Sequence, residues 1–382
     1  MKISFIVPWI TKGRGGTENV GQLMANAMAD RGHDVHIYTF DDQKSPSKWP
    51  LNSRIWLHHL AEREDAKSNN QMTIALAETC PDLIVGLHMN RTLLRYTVAA
   101  QKIGVPLVLS EHIDPHFPNR LGVFSDEQRQ AAFVGATRLH LLTGAFKDGL
   151  PDYFQSKVDV IPNTVAHAGT ACDPKGGDAK TVLTVARLVP RKNLAHLIDE
   201  FALIAGHHKA WTLDILGDGP ELKNLQSRAK NKGVASQVRF LGHSDAPYAY
   251  LEQAQAFVLP SLFEGFPMSS LEAMAHGLPL VGYAACNGIN EQIVDGLNGR
   301  LAARSLETGC LAKCLDELMS DDSLRLKMGA ASKQRFDTLY SNTVVFDAWE
   351  NMFRAAVENG PITIETHAKA NAQHALSALM NG

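Results

Sequence analysis

Along the chain, short and wholly apolar runs alternate with segments whose apolar residues recur every three or four positions. Ile3 to Val7 is the first apolar run, and Val20, Leu23, Met24, Ala27 and Met28 form a helical stripe that ends near Gly32. Further runs are Val35 to Phe40, Ile55 to Leu57, Leu83 to Gly86, Pro106 to Leu109, Arg138 to Leu142 and Val158 to Ile161. Helical spacing covers Met72 to Thr79 and Leu93 to Lys102. Runs without polar alternation suit strands buried on both faces, as in a parallel sheet covered by helices. Asn163 to Lys180, rich in Gly, Ala and Asp, interrupts the pattern and reads as a linker. The alternation then restarts with strands at Thr181 to Ala186, Leu213 to Leu216, Val238 to Leu241, Phe257 to Leu259, and Leu280 with Val281. Helical patterns over Leu306 to Met319, Ser323 to Thr338 and Val344 to Val357 close the chain. The expectation is an α/β protein of two doubly wound parallel-sheet domains, 1–165 and 166–358, with a tail at 359–382. Within that tail, Ala368 to Met380 reads as a helix or a frayed end. Ligands of such sheets sit beyond the carboxyl ends of the strands.

The densest stretch is Ala256 to Val281, A-F-V-L-P-S-L-F-E-G-F-P-M-S-S-L-E-A-M-A-H-G-L-P-L-V. It reads strand, loop, helix, strand, with Met268, Leu271, Met274 and Ala275 as the helical stripe, Pro267 at its start and Gly277 at its end. Glu264 lies in the loop and Glu272 in the first turns of the helix. Gly265 lets the backbone bend or approach a ligand, and in the segment Phe266, Pro267, Met268 and Ser269 the unbonded N–H groups, which all but Pro267 carry, favour an anion. Amide donors beside two carboxylate acceptors suit a ligand carrying both phosphate and sugar. By pattern alone, Glu272 fits a solvated helix position and Glu264 a charge complementing the helix dipole equally well.

Other motifs fall at strand ends. After the first strand comes W-I-T-K-G-R-G-G-T-E, with Gly13, Gly15 and Gly16 preceding a helix. Such a loop exposes N–H groups to phosphate. It is neither the G-x-G-x-x-G fingerprint, because Glu18 takes the place of the third glycine, nor a Walker loop, because no G-K-[ST] follows. Ser110, Glu111 and His112 follow the Pro106 strand; one histidine among 16 carries little weight except for that position. The strand ending at Ala186 is followed by R-L-V-P-R-K-N, where Arg187 and Lys192 can clamp a diphosphate or simply solvate a loop. Arg191 adjoins them, and spacing favours Lys192. Leu216 to Pro220, L-G-D-G-P, reads as a tight turn without chemistry.

The run P-S-L-F-E-G-F-P-x4-L-E-A-M-A-x-G-x-P resembles the E-x7-E segment of family 4 retaining glycosyltransferases of the GT-B fold. The likeness extends to about Ala356 and is strongest in the second half; Asp41 to Ser53 and Ile113 to Phe124 match nothing specific. It implies two Rossmann-like domains facing a central cleft, with the acceptor on the first and the donor on the second. It also implies that Glu264 hydrogen-bonds the donor sugar and Glu272 holds the ribose. G-G-T-E is similar to the family's G-G-x-E loop, so Gly16, with Gly15, approaches the donor, and Thr17 and Glu18 lie on the acceptor side. His112 corresponds to a histidine at the reaction centre. Arg187 and Lys192 correspond to the pair that stabilises the leaving diphosphate. Gly242 and His243, in F-L-G-H, hold the base through backbone groups, and Glu291 in G-I-N-E reads as structural. The catalytic set is therefore Glu264, His112, Arg187 and Lys192. No cofactor and no metal are expected, because the two cations take over that charge.

Composition narrows the partners. With 382 residues and a net charge of −3, the chain gives no electrostatic reason to expect nucleic acid. No apolar run approaches the length of a membrane span, and Met1 to Pro8 lacks a cleavage region behind it, so a cytoplasmic location is the default. The reading allows peripheral contact with the inner face of a membrane. The five cysteines form no C-x-x-C pair and read as reduced thiols. The expected activity moves a hexose from a nucleotide diphosphate sugar, UDP favoured, to a hydroxyl of a glycan or lipid-linked glycan. The alternatives are a non-catalytic nucleotide-sugar binding module and a nucleotide-sugar epimerase on the same plan. A dinucleotide oxidoreductase ranks lower because its fingerprint fails.

Overall fold

The structure, a computed structural model, describes residues 1–13, 15–87, 93–114, 125–166, 170–244, 246–303 and 306–362. The expected segment 368–380, and most of 113–124, lie outside these. The chain divides into two compact units, Met1–Pro162 with Thr343–Gly382, and Asn163–Asn342.

The first unit holds strands β1 (Lys2–Ile6), β2 (Asp34–Phe40), β3 (Trp56–Leu60), β4 (Leu83–Leu87), β5 (Leu107–Ser110), β6 (Arg138–Leu141) and β7 (Val158–Val160). They form one parallel sheet in the order β3-β2-β1-β4-β5-β6-β7. Its core is built where apolar runs were read: Ile3, Phe5, Val35, Ile37, Val85, Leu107 and Leu139 are buried. Helices Gly16–Asp30, Ala66–Glu78, Leu93–Ile103 and Asp126–Val134 connect the strands. Two of them carry side-chain caps. Asp65 accepts from the Ser68 N–H at 2.8 Å, and Ser125 with Gln128 makes a reciprocal capping box.

The second unit holds β8 (Lys180–Val185), β9 (Trp211–Leu216), β10 (Val238–Gly242), β11 (Ala256–Val258), β12 (Leu280–Tyr283) and β13 (Gly299–Ala302). All pairs are parallel, in the order β10-β9-β8-β11-β12-β13. The edge strand β13 was not expected. It is four residues long, in N-G-R-L-A, too short and too mixed to show a period.

The last helix, Asn342–Asn359, does not end the second domain as the boundary at 358 supposed. From Thr343 on it belongs to the first unit. Its buried stripe is Val345, Trp349, Met352, Phe353 and Ala356. Phe353 meets Phe5 edge-on with ring centroids 5.8 Å apart, and Trp349 lies 4.1 Å from the His140 ring. On its outer face Arg31 reaches Asp347 and Glu350, both at 2.6 Å. Apolar burial against the first sheet, rather than chain order, decides which unit the helix joins.

Candidate functional site

In the second sheet β8 pairs with both β9 and β11, so the strand order reverses there. The loops that follow β8 and β11 therefore leave side by side at the carboxyl ends, the usual ligand position in such sheets. The β8 loop carries Arg187 and a short 3-10 turn, Pro190–Lys192, and Asn193 with φ 55° turns the chain into helix Leu194–Ile204. The β11 loop carries Glu264 and leads to helix Met268–Ala275. A backbone bond from Leu262 N–H to the Arg191 carbonyl, 3.0 Å, ties the two loops together.

Across that tie the Lys192 ammonium donates to Glu264 Oε1. Arg191 Nη1 donates to Glu264 Oε2 and to the Phe263 carbonyl, each at 3.2 Å. Lys192 is 8% and Glu264 7% exposed. Burial alone would raise the Glu264 carboxyl, but the Lys192 and Arg191 cations outweigh it and hold the group below the usual carboxylate range. Here two cations face one carboxylate, which suits an anionic ligand. Arg187 is exposed, and among the described residues its side chain makes no ion pair. Sequence spacing had favoured Lys192 over Arg191; the structure brings both to Glu264.

The loop is held from behind. Gln292 donates to the Pro267 carbonyl at 3.0 Å and accepts from the Ser270 hydroxyl; Asn163 donates to the Phe266 carbonyl at 2.8 Å. Gly288, at φ +82°, sits so close that a Cβ there would lie 2.2 Å from the Gly265 carbonyl oxygen. G-I-N-E thus works through Gly288, Gln292 follows directly after the motif, and Glu291 contributes its carbonyl, which accepts from Arg335 at 2.8 Å. In L-G-D-G-P, Gly217 has φ +144°, and a Cβ would meet the Ala186 carbonyl oxygen at 1.9 Å, so this turn fixes the start of the Arg187 loop. Pro267 offers no side-chain cap, so the N–H groups of Met268, Ser269 and Ser270 open the helix without intrahelical partners.

Glu272 lies within that helix. Burial pushes its carboxyl up to about 7. Tyr248 is pushed up to about 12 by its own burial and by the Glu272 charge. Gly242, at φ +73°, ends β10 and its carbonyl accepts from Gly217 N–H at 2.7 Å; His243 after it is exposed.

In the first unit the glycine loop runs into helix Gly16–Asp30, with Gly15 as a cap residue lacking a side chain and Thr17 in the first turn. Glu18 folds back onto this loop. A Cβ at Gly15 or Gly13 would meet its carboxylate oxygens at 2.5 and 2.8 Å, so the glycines make room for that side chain. At the end of β5, Glu111 is buried and pairs with both Arg129 Nε (2.8 Å) and Nη2 (2.6 Å), fixing the S-E-H turn. His112 Nε2 lies 2.6 Å from Ser110 Oγ, which lies 2.8 Å from His140 Nδ1. Sequence reasoning missed Ser110, His140, Asn163 and Gln292. His140 in R-L-H-L carries no motif, and only the pairing of β5 with β6 brings it opposite Ser110.

Among the described residues no group of three or more His, Cys, Asp or Glu is placed to hold a metal ion. No described helix is long and apolar enough to cross a membrane. None of the five cysteines forms a disulfide.

Comparison with known proteins agrees with this geometry. The family model "Glycosyltransferase Family 4" matches residues 14–168 and "Glycosyl transferases group 1" matches 173–335. An exopolysaccharide phosphotransferase of Streptomyces coelicolor is 26% identical over 94% of this chain, which spans 41% of that protein's length. A lipopolysaccharide 1,6-galactosyltransferase of Salmonella typhimurium is 28% identical, covering 79% of this chain and 85% of its own. Among solved structures, Anabaena HepE in complex with UDP and glucose superposes with a TM-score of 0.75 at 19% identity, covering 93% of this chain and 100% of its own.

Proposed function

The chain belongs to the family 4-like glycosyltransferases of the GT-B fold, and from that premise we propose a retaining, metal-independent hexosyltransferase. In this reading it moves a sugar from a UDP-sugar to a hydroxyl of a glycan or lipid-linked glycan. The observation that carries it is the Lys192–Glu264–Arg191 cluster at the strand-order reversal of the second sheet. Such a cluster puts fixed positive charge beside a carboxylate acceptor and the open amides of a helix start.

Each residue then has a task. The leaving diphosphate gains charge in the transition state, and Arg187, Lys192 and the N–H groups of Gly265, Phe266, Met268 and Ser269 stabilise it. Arg191 adds a further cation beside them. When the diphosphate draws Lys192 toward itself, the Glu264 carboxylate accepts from sugar hydroxyls and orients the anomeric carbon. Glu272 accepts from the ribose, and the backbone at Gly242 and His243 meets the base. From the first unit, Gly15 and Gly16 approach the donor, Thr17 and Glu18 serve the acceptor, and His112 meets the transferred sugar. The acceptor oxygen attacks from the face the nucleotide leaves, and a phosphate oxygen of the departing diphosphate takes its proton. UDP is favoured because the HepE complex contains UDP, and a glycan acceptor because a matched relative is named for lipopolysaccharide galactosyl transfer. A peripheral location at the inner membrane face fits a lipid-linked acceptor.

The test is a panel of UDP-, GDP- and ADP-sugars with lipid-linked glycan acceptors, read as release of free nucleotide diphosphate by wild type and Lys192→Ala. The reading expects turnover with a UDP-sugar. Removing a cation that acts on developing charge should lower kcat by about 10²–10³. Binding of donor without turnover would favour the non-catalytic binding module. Near-wild-type turnover in Lys192→Ala would take that residue out of the site.

A further inference from the structure

Two side chains without a role so far, Ser110 and His140, join His112 in a hydrogen-bonded line across the carboxyl ends of β5, β6 and β7. Ser110 and His140 are register partners on β5 and β6, so their side chains share a face of the sheet. Ile161 follows β7, next to Val160, which pairs with Leu141. His140 Nε2 lies 2.7 Å from the Ile161 carbonyl oxygen, its Nδ1 2.8 Å from Ser110 Oγ, and Ser110 Oγ 2.6 Å from His112 Nε2. Ser110 and His140 are completely buried. The Trp349 ring closes over His140, with centroids 4.1 Å apart.

The direction of every bond in this line follows from its inner end. A carbonyl oxygen only accepts, so His140 Nε2 carries a proton and donates to Ile161. Burial holds the His140 ring neutral, pushing it down to about 4, so the ring has one proton and Nδ1 must accept. The single Ser110 hydroxyl proton therefore points to His140. Toward His112 the Ser110 oxygen can only accept, so His112 Nε2 must carry a proton and donate.

We propose that Ser110 and His140 are positioning residues for His112: they fix its ring orientation and commit a proton to Nε2, the nitrogen that faces Ser110. This rests on the assignment of His112 to the transferred sugar. The consequence is chemical. With its Nε2 proton held by Ser110, that nitrogen is oriented away from proton transfer and is not the donor to the leaving group. An unanchored imidazole would instead divide between two tautomers and several rotamers, and only part of the population would face the substrate correctly.

The experiment uses the full chain with 15N-labelled histidine, together with Ser110→Ala, Ser110→Thr and His140→Leu. The nitrogen shifts of His112 report its tautomer without any substrate. The expected result is an Nε2–H ring in wild type and in Ser110→Thr, and a tautomer mixture in Ser110→Ala. Ser110→Ala removes one buried oxygen, and its fold is checked by its thermal midpoint. His140→Leu should give the same mixture where it folds. A His112 ring protonated on Nδ1 in wild type, or an unchanged tautomer in Ser110→Ala, overturns the proposal. With an active donor, Ser110→Ala should lower kcat by about tenfold with little change in donor KM, and Ser110→Thr should restore it. Unchanged kcat in Ser110→Ala removes the residue from a role in transfer. If wild type turns over no donor, the functional assignment fails while the nitrogen shifts still decide the relay.

Discussion

At the scale of single residues, the two glutamates of the central stretch differ in what neutralises them. Glu264 has Lys192 and Arg191 as counter-charges and stays ionised. Glu272 is desolvated, and its carboxyl is pushed up from an ordinary 4.5 to about 7. A carboxyl raised in the folded state contributes stability that is complete below pH 4.5 and is lost as the pH rises through about 7. At pH 8 the ligand-free protein therefore carries an ionised Glu272 at a cost. Glu272→Gln should raise the thermal midpoint at pH 8 and leave it nearly unchanged at pH 4.5. If ribose hydroxyls donate to this carboxylate, donor KM in wild type should fall as the pH rises through about 7, and that dependence should vanish in Glu272→Gln. A pH-independent donor KM in wild type would remove Glu272 from ribose binding. The E-x7-E spacing was legible in the sequence. The difference between the two carboxylates was not, because it depends on loops that only the sheet order brings together.

At the scale of elements, the strands were legible because their apolar runs are buried on both faces, and most expected runs lie within two or three residues of the observed strands. Helix starts were less legible. The first helix begins at Gly16, where its polar residues precede the apolar stripe, and not at Val20. Edge strand β13 and the small helix Ile289–Gln292 left no period to read, yet that helix holds the candidate site through Gln292. In G-I-N-E the sequence singles out Glu291 as structural, whereas in the structure it is Gly288 that fits against Gly265. A side chain at Gly288 meets both a positive φ and the Gly265 carbonyl. Gly288→Ala should therefore destabilise the second unit by about 1–3 kcal/mol. It should also lower kcat/KM by on the order of 10²-fold by displacing the Glu264 loop. Denaturant unfolding and donor kinetics on the same sample check both; unchanged kinetics would mean that the loop does not depend on this contact for its position.

At the scale of the whole molecule, two α/β units were legible from the restart of the pattern near Thr181, whereas the return of the last helix to the first unit was not. Val344 to Val357 reads as an amphipathic helix from sequence, but its stripe does not say which sheet it covers. Trp349 and Phe353 answer that through His140 and Phe5. Trp349→Ala should destabilise the first unit by about 3–5 kcal/mol, and it should let water reach His140 and raise that ring from about 4 toward its ordinary 6.5. Calorimetry and histidine nitrogen titration read the two effects, and an unshifted His140 would show that Trp349 is not what keeps the ring dry. The proposed reaction is transfer of a hexose with retention, with the chain's own cations in place of a metal. The most direct test is proton NMR of the product formed by wild type from an α-linked UDP-sugar in excess EDTA. Retaining, metal-independent transfer gives an α-linked product at an undiminished rate. A β-linked product, or activity lost to EDTA and restored by magnesium or manganese, would contradict it.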